Sequence, residues 1–191
     1  GNSSLSGSDT KTAAGSFAIA GNLSVSDVIF EGGVTLTTFN GTTTLSGNGT
    51  FNFGDVSVTS TLIDGGVSVN VSGSWTKSGT FTSTGTTIFK GGTAQTINAS
   101  NFSNISFTGA GTKNIAGALT VTGNWSNSGT ISTSQLITIN GTGSQSIDNG
   151  TSSFASLTVN KSSGTATIAN NDLTVTGDFT LSSGTLPRLS C

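Results

Sequence analysis

A string that keeps returning constrains this chain more than any other feature. LTVTGNWSNSGT at 119–130 reappears as VNVSGSWTKSGT at 69–80 and as LTVTGDFTLSSGT at 173–185, with a looser copy, FAIAGNLSV, at 17–25. The central glycines are Gly21, Gly73, Gly123 and Gly177, evenly spaced to within a few positions. A period of about 50 residues describes one supersecondary unit used several times, each copy burying its apolar face against the next.

Within the copies apolar residues alternate. Period-two parity puts Leu119, Val121, Gly123 and Trp125 on one face, and likewise Val69, Val71, Gly73 and Trp75, and Leu173, Val175, Gly177 and Phe179. Alternation is a strand signal, and no apolar set spaced three and four apart runs for a helical length. Glycine at an inward position predicts a close backbone approach, with the ring two residues later filling the space. Two further pieces recur. FNGTTT at 39, FKGGTAQTI at 89 and INGTGSQSI at 139 end a strand in a glycine turn. FGDVSV at 53, FSNISF at 102 and FASLTV at 154 lead an aromatic into a strand, so Phe53, Phe102 and Phe154 correspond, as do Val56, Ile105 and Leu157.

Each repeat therefore holds four or five short strands of ordinary length. Pro187, the lone proline, lies beyond them and leaves the ladders unbroken. A propeller needs at least four blades with their own signatures, and about 50 residues is short for a sandwich domain. The expected fold is all-β: a parallel β-helix (β-solenoid) over residues 17–186, each repeat making roughly two coils of about 25 residues, with equivalent residues stacked every ~4.8 Å. That predicts seven or eight coils and a rod of about 35 Å. Residues 1–16 read as a polar N-terminal arm, flexible or else a strand that pairs elsewhere, and 187–191 as a tail.

Composition narrows the function classes. Serine and threonine make up about a third of the 191 residues, 28 are glycine, and the net charge is −2. Disorder goes with high net charge and few β-formers, which is not the pattern here. There is neither a basic patch nor an acidic run, so no nucleic-acid partner is expected, and no apolar stretch approaches a membrane span. No secretory leader opens the sequence, which reads as a mature product or a fragment. Cys191, the single cysteine, makes no internal disulfide and leaves the redox compartment open.

Chemistry is sparse. Histidine is absent, and the acidic residues (Asp9, Asp27, Glu31, Asp55, Asp64, Asp148, Asp172 and Asp178) are scattered and do not recur at equivalent repeat positions. Acid–base dyads, triads and common metal sites need clustered groups, so no catalytic residue, metal or cofactor is expected and the chain reads as no enzyme. GTGSQS and GGTAQT lack the lysine of a phosphate loop and read as turns. Trp75 and Trp125, inward by parity, read as core and not as a sugar platform. The outward Thr120 and Thr122, matching Thr174 and Thr176, give too incomplete an array for ice binding, since the copy at 69–80 has Asn70 and Ser72 and equivalent rows would skip alternate coils. Twelve Asn-x-Ser/Thr sequons occur, at Asn2, Asn22, Asn40, Asn48, Asn70, Asn98, Asn101, Asn104, Asn124, Asn140, Asn149 and Asn160. They read either as by-products of repeated Asn-Gly-Thr turns or as glycan acceptors on an exported surface.

LTVTGNWSNSGT followed by INGTGSQSI and FASLTVN resembles the repeats of secreted bacterial and archaeal β-solenoid surface proteins, of the filamentous-haemagglutinin-like or autotransporter-adhesin-like kind. The resemblance implies export, cell-surface display and a structural or adhesive role. A solenoid has two ends to cover, and covering one with the other builds a head-to-tail homopolymer. The expected function is a structural subunit of an extracellular filament or stalk. The alternatives are a fragment of a long adhesin passenger that binds surface glycans and, more remotely, a carbohydrate-active β-helix enzyme.

Overall fold

The computed structural model describes residues 1–187, so Cys191 and most of the expected tail lie outside the described residues. All regular structure among them is strand. In chain order the first strands are β1 (Ser3–Ser6), β2 (Thr10–Thr12), β3 (Phe17–Ile19), β4 (Leu23–Ser26), β5 (Ile29–Glu31), β6 (Leu36–Phe39), β7 (Thr43–Ser46) and β8 (Thr50–Phe53). Then come β9 (Asp55–Val58), β10 (Thr61–Ile63), β11 (Ser68–Val71), β12 (Trp75–Lys77), β13 (Thr80–Thr82), β14 (Thr86–Phe89), β15 (Gln95–Ile97) and β16 (Ser100–Phe102). The last are β17 (Asn104–Phe107), β18 (Lys113–Ile115), β19 (Leu119–Val121), β20 (Trp125–Asn127), β21 (Ile131–Thr133), β22 (Leu136–Gly141), β23 (Gln145–Asp148), β24 (Ser156–Ile168) and β25 (Phe179–Thr185).

Every third strand pairs in parallel, which makes a three-sided β-solenoid. The first side carries β1, β4, β7, β10 and β13, then β16, β19, β22, β24 and β25, which gives about ten turns. β2, β5, β8, β11, β14, β17, β20 and β23 form the second side, and β3, β6, β9, β12, β15, β18 and β21 the third. Near the C-terminal end β24 runs round a corner, pairing with β22 through Ser156–Lys161 and with β23 through Ala166–Ile168. An isolated bridge between Phe154 and Val175 continues the third side. Ten rungs at about 4.8 Å make a rod of roughly 45 Å. Within residues 1–16, β1 and β2 pair in register with β4 and β5 and so extend the solenoid's first and second sides.

The turns are short and uneven. Val69 pairs with Thr87, whereas Trp75 pairs with Ile97, a few positions further round. The expected coil, half of a repeat, is therefore too long, and the expected two coils per repeat too few. Trp75 lies on the third side and Trp125, its repeat equivalent, on the second. Phe179 follows on the first, where Leu23 of the earliest copy also lies. Equivalent residues do not stack on one another.

The inward columns fill the lumen with apolar side chains. Val69, Val71, Leu119, Val121, Trp75 and Trp125 are all buried, as parity predicts. Phe53, Phe102 and Phe154 are buried too: Phe53 packs with Phe30 and Phe39, and Phe102 and Phe154 belong to a second run of rings along the axis. Trp75 meets Phe102 at 5.9 Å between centroids, and Trp125 meets Phe154 at 5.1 Å. Such packed rings contribute beyond their buried area. Phe179 departs from the expected core: it is 47% exposed, because it lies on the last rung of its column.

Candidate functional site

Repeat equivalence exposes the parts that position everything else. Ile19–Phe39–Val58 is a three-rung column on the third side. Val71–Phe89–Phe107 is the same column on the second side, and Val121–Ile139–Val159 on the first. The bottom carbonyl of each is capped alike. Gln95 Nε2 donates to Val71 O at 3.0 Å and Gln145 Nε2 to Val121 O at 3.2 Å, while the shorter Thr43 Oγ1 donates to Ile19 O at 3.4 Å. Gln95 and Gln145 also reach the carbonyls two residues on, Gly73 O at 2.6 Å and Gly123 O at 2.5 Å. The side-chain donor is a second partner at Val71 O and Ile19 O, which also accept Lys90 N–H and Asn40 N–H. Buried backbone acceptors need such partners.

The corners repeat just as strictly. Asn22 N–H donates to Asn2 Oδ1 (3.0 Å), Ser74 N–H to Asp55 Oδ1 (2.6 Å) and Asn124 N–H to Asn104 Oδ1 (2.8 Å). One turn on, Thr44 N–H donates to Asn22 Oδ1, Thr96 N–H to Ser74 Oγ and Ser146 N–H to Asn124 Oδ1. These ladders explain the repeat glycines. A Cβ on Gly73 would fall 2.3 Å from Asp55 Oδ1, and on Gly123 2.4 Å from Asn104 Oδ1. Gly21 would meet Gly1 O and Gly177 would meet Ala155 O, both at 2.5 Å. Their role is close approach to the turn below, as the sequence suggests, but at a solvent-facing corner instead of in the lumen.

The twelve sequon asparagines are spread over the rod. Asn2, Asn22, Asn104 and Asn124 are the corner acceptors above. Asn48 exchanges hydrogen bonds with Asp27, and Asn160 Oδ1 accepts from Ser183 Oγ. Asn149 is buried, Oδ1 accepting from Trp125 Nε1 at 2.9 Å and Nδ2 donating to Ser152 O. Asn70 is half-buried within β11, as is Asn140 within β22, where its Oδ1 is buried without a partner. Asn98 is half-buried at the end of β15, whereas Asn40 and Asn101 are exposed.

Three buried charged groups were not singled out in the sequence. Asp64, fully buried at the corner after β10, accepts from Gly66 N–H, Ser83 Oγ–H, Thr84 N–H and Oγ1–H, and Gly85 N–H, at 2.8–3.2 Å. Lys113 Nζ donates to Gly91 O at 3.1 Å and Gly111 O at 2.5 Å. Lys161 Nζ donates to Gly143 O at 2.7 Å and to Gln145 Oε1. Burial lowers the pKa of both lysines from the ordinary 10.5. Their only sequence signal is a lysine at an inward parity position beside a glycine turn. Each ties down turn carbonyls; neither faces a group it could activate.

At the N-terminal end the lumen opens as a cavity of about 430 Å³ whose lining includes Leu5, Phe17, Ile19, Leu23 and Phe30. At the other end Phe179 and Leu181, above Leu157 and Val159, are each 47% exposed. Among the described residues no group of three His, Cys, Asp or Glu side chains is placed to hold a metal. No helix among them is long and apolar enough to cross a membrane. At both ends of the described rod the inward columns carry partly exposed apolar residues. No protein-family model, curated protein or solved structure matches the chain.

Proposed function

We propose that this chain is a structural, rod-forming segment of an extracellular filament or stalk, joined end to end with further copies of itself. The observation that carries this reading is the continuation of the apolar inward columns to both ends, as Leu5 and Phe17 at one and Phe179 and Leu181 at the other. Exposed strand edges over an apolar lumen favour addition of another parallel rung, and a contact between unlike ends propagates without closing. Display outside the cell is supported by the repeat resemblance and by a nearly uncharged Ser/Thr/Asn coat. Negative-stain electron microscopy and light scattering over a concentration series test the assembly. Expected are unbranched filaments that lengthen with concentration and are abolished by Phe179→Lys. A monomer at every concentration overturns self-assembly and leaves a rod that other chains must continue.

A further inference from the structure

We infer that the unit by which this solenoid can be lengthened or shortened is the eight-strand, two-and-two-thirds-turn repeat and not the single turn, so that each added repeat turns everything beyond it by one side of the rod. Strand order and pairing alone require this, whether or not the chain forms filaments.

Counting three strand positions per turn, with the Phe154 and Val175 bridges and the two halves of β24 each taking one, every recurring residue advances by eight positions. Leu23, Trp75, Trp125 and Phe179 fall on the first, third, second and first sides. Phe53, Phe102 and Phe154 fall on the second, first and third. The spacing of the repeat glycines along the sequence is not constant, yet the strand count does not vary. Loops absorb the difference, because a corner can bulge while a rung cannot be skipped.

The vertical neighbours obey the same screw. Trp75 lies between Val56 and Ile97, and Trp125 between Ile105 and Ile147. Each neighbour of one tryptophan is the repeat equivalent of the other's. Removing Gly73–Thr122 therefore brings Trp125 over Val56 and under Ile147, with Asp55 under the N–H of Asn124 in place of Asn104; the tryptophan column is kept in kind, while Gln135 takes the place of Gly85, whose Cβ position lies 2.1 Å from Val67 O. Removing one turn does the opposite. Deleting Val56–Ser74 would set Trp75 over Thr37, in the place Val56 holds, and force a tryptophan into a rung filled by valine. Eight strands and three sides share no factor, so three repeats restore the starting side. Copy number would thus fix both the reach of a flanking segment and the direction it faces.

Three variants test this: deletion of Gly73–Thr122 combined with Gln135→Gly, which restores the glycine needed over Val67, deletion of Val56–Ser74, and tandem duplication of Gly73–Thr122. Each would be followed by thermal unfolding, and the duplication also by small-angle scattering. The repeat deletion and the duplication are expected to unfold cooperatively within about 5 °C of the parent, and the one-turn deletion to fall by about 10 °C or more. The duplication should lengthen the rod by about 13 Å. A one-turn deletion as stable as the repeat deletion overturns the inference, as does a duplication that fails to fold. None of these readouts depends on filament formation.

Discussion

Single inward positions show where the repeat tolerates polarity and where it depends on it. Thr37 and Thr87 are repeat equivalents, both fully buried, and the Oγ1 of each has no hydrogen-bond partner. The third equivalent is Ile137, so the site accepts a purely apolar side chain. Thr87→Val keeps the shape and removes an unpaired hydroxyl, and should stabilise the chain by about 1 kcal/mol. Thr43 looks the same in sequence but donates to Ile19 O. Thr43→Val should therefore destabilise, by about 0.5 kcal/mol, since Ile19 O keeps the Asn40 N–H but loses its second donor. Urea unfolding of the two variants side by side is the check, and the opposite signs are the point of the comparison.

At the scale of strands and corners, the rod is held by side chains that reach from one turn to the next. Asp64 gathers five donors from its own turn and the one above. Asp64→Asn places an amide N–H₂ among donors and should cost about 2–3 kcal/mol, read as a lower urea midpoint at unchanged slope. Lys113 and Lys161 act at other corners and titrate. Burial holds their folded pKa below the unfolded 10.5, so between those two values the unfolded chain binds more protons. Stability should therefore climb as pH rises through that alkaline window and level off above it. Unfolding midpoints across the window, compared with those of Lys113→Met, check this, and the variant should show the shallower rise. The corner ladders also account for several sequons: Asn2, Asn22, Asn104 and Asn124 are asparagines because a short side chain there can accept an N–H from the next turn, and this needs no glycan.

For the whole molecule, the consequence of three sides and an eight-strand repeat is that no side carries a pure copy of one sequence motif. Thr120, Thr138, Thr158 and Thr180 line up on consecutive turns of the first side, although only Thr120 belongs to the LTVTGNW string and Thr138 and Thr158 come from other parts of the repeat. The expectation that threonine rows would skip alternate turns fails for this reason. The neighbouring row is mixed, with Asn140 and Asn160 paired there, so the face is a polar coat and not a regular array. Surface pattern and repeat pattern are separate properties of this rod.

The sequence by itself determined the strands, the parallel solenoid and the inward set. Alternation reports the pleat, a local property, and so Val71, Val121, Trp75 and Trp125 could be assigned to the lumen from their neighbours alone. It also located the glycines that must stay glycine, though it put them on the wrong surface. What it could not supply was the number of strands per turn. That number depends on where the chain closes on itself, which is set by corner contacts one turn apart, such as Asn104 with Asn124 and Asp64 with Thr84. The repeat period fits two long turns as readily as two and two-thirds short ones. Only the tertiary structure decided between them, because only the stacking of unlike strands shows which residue each one covers.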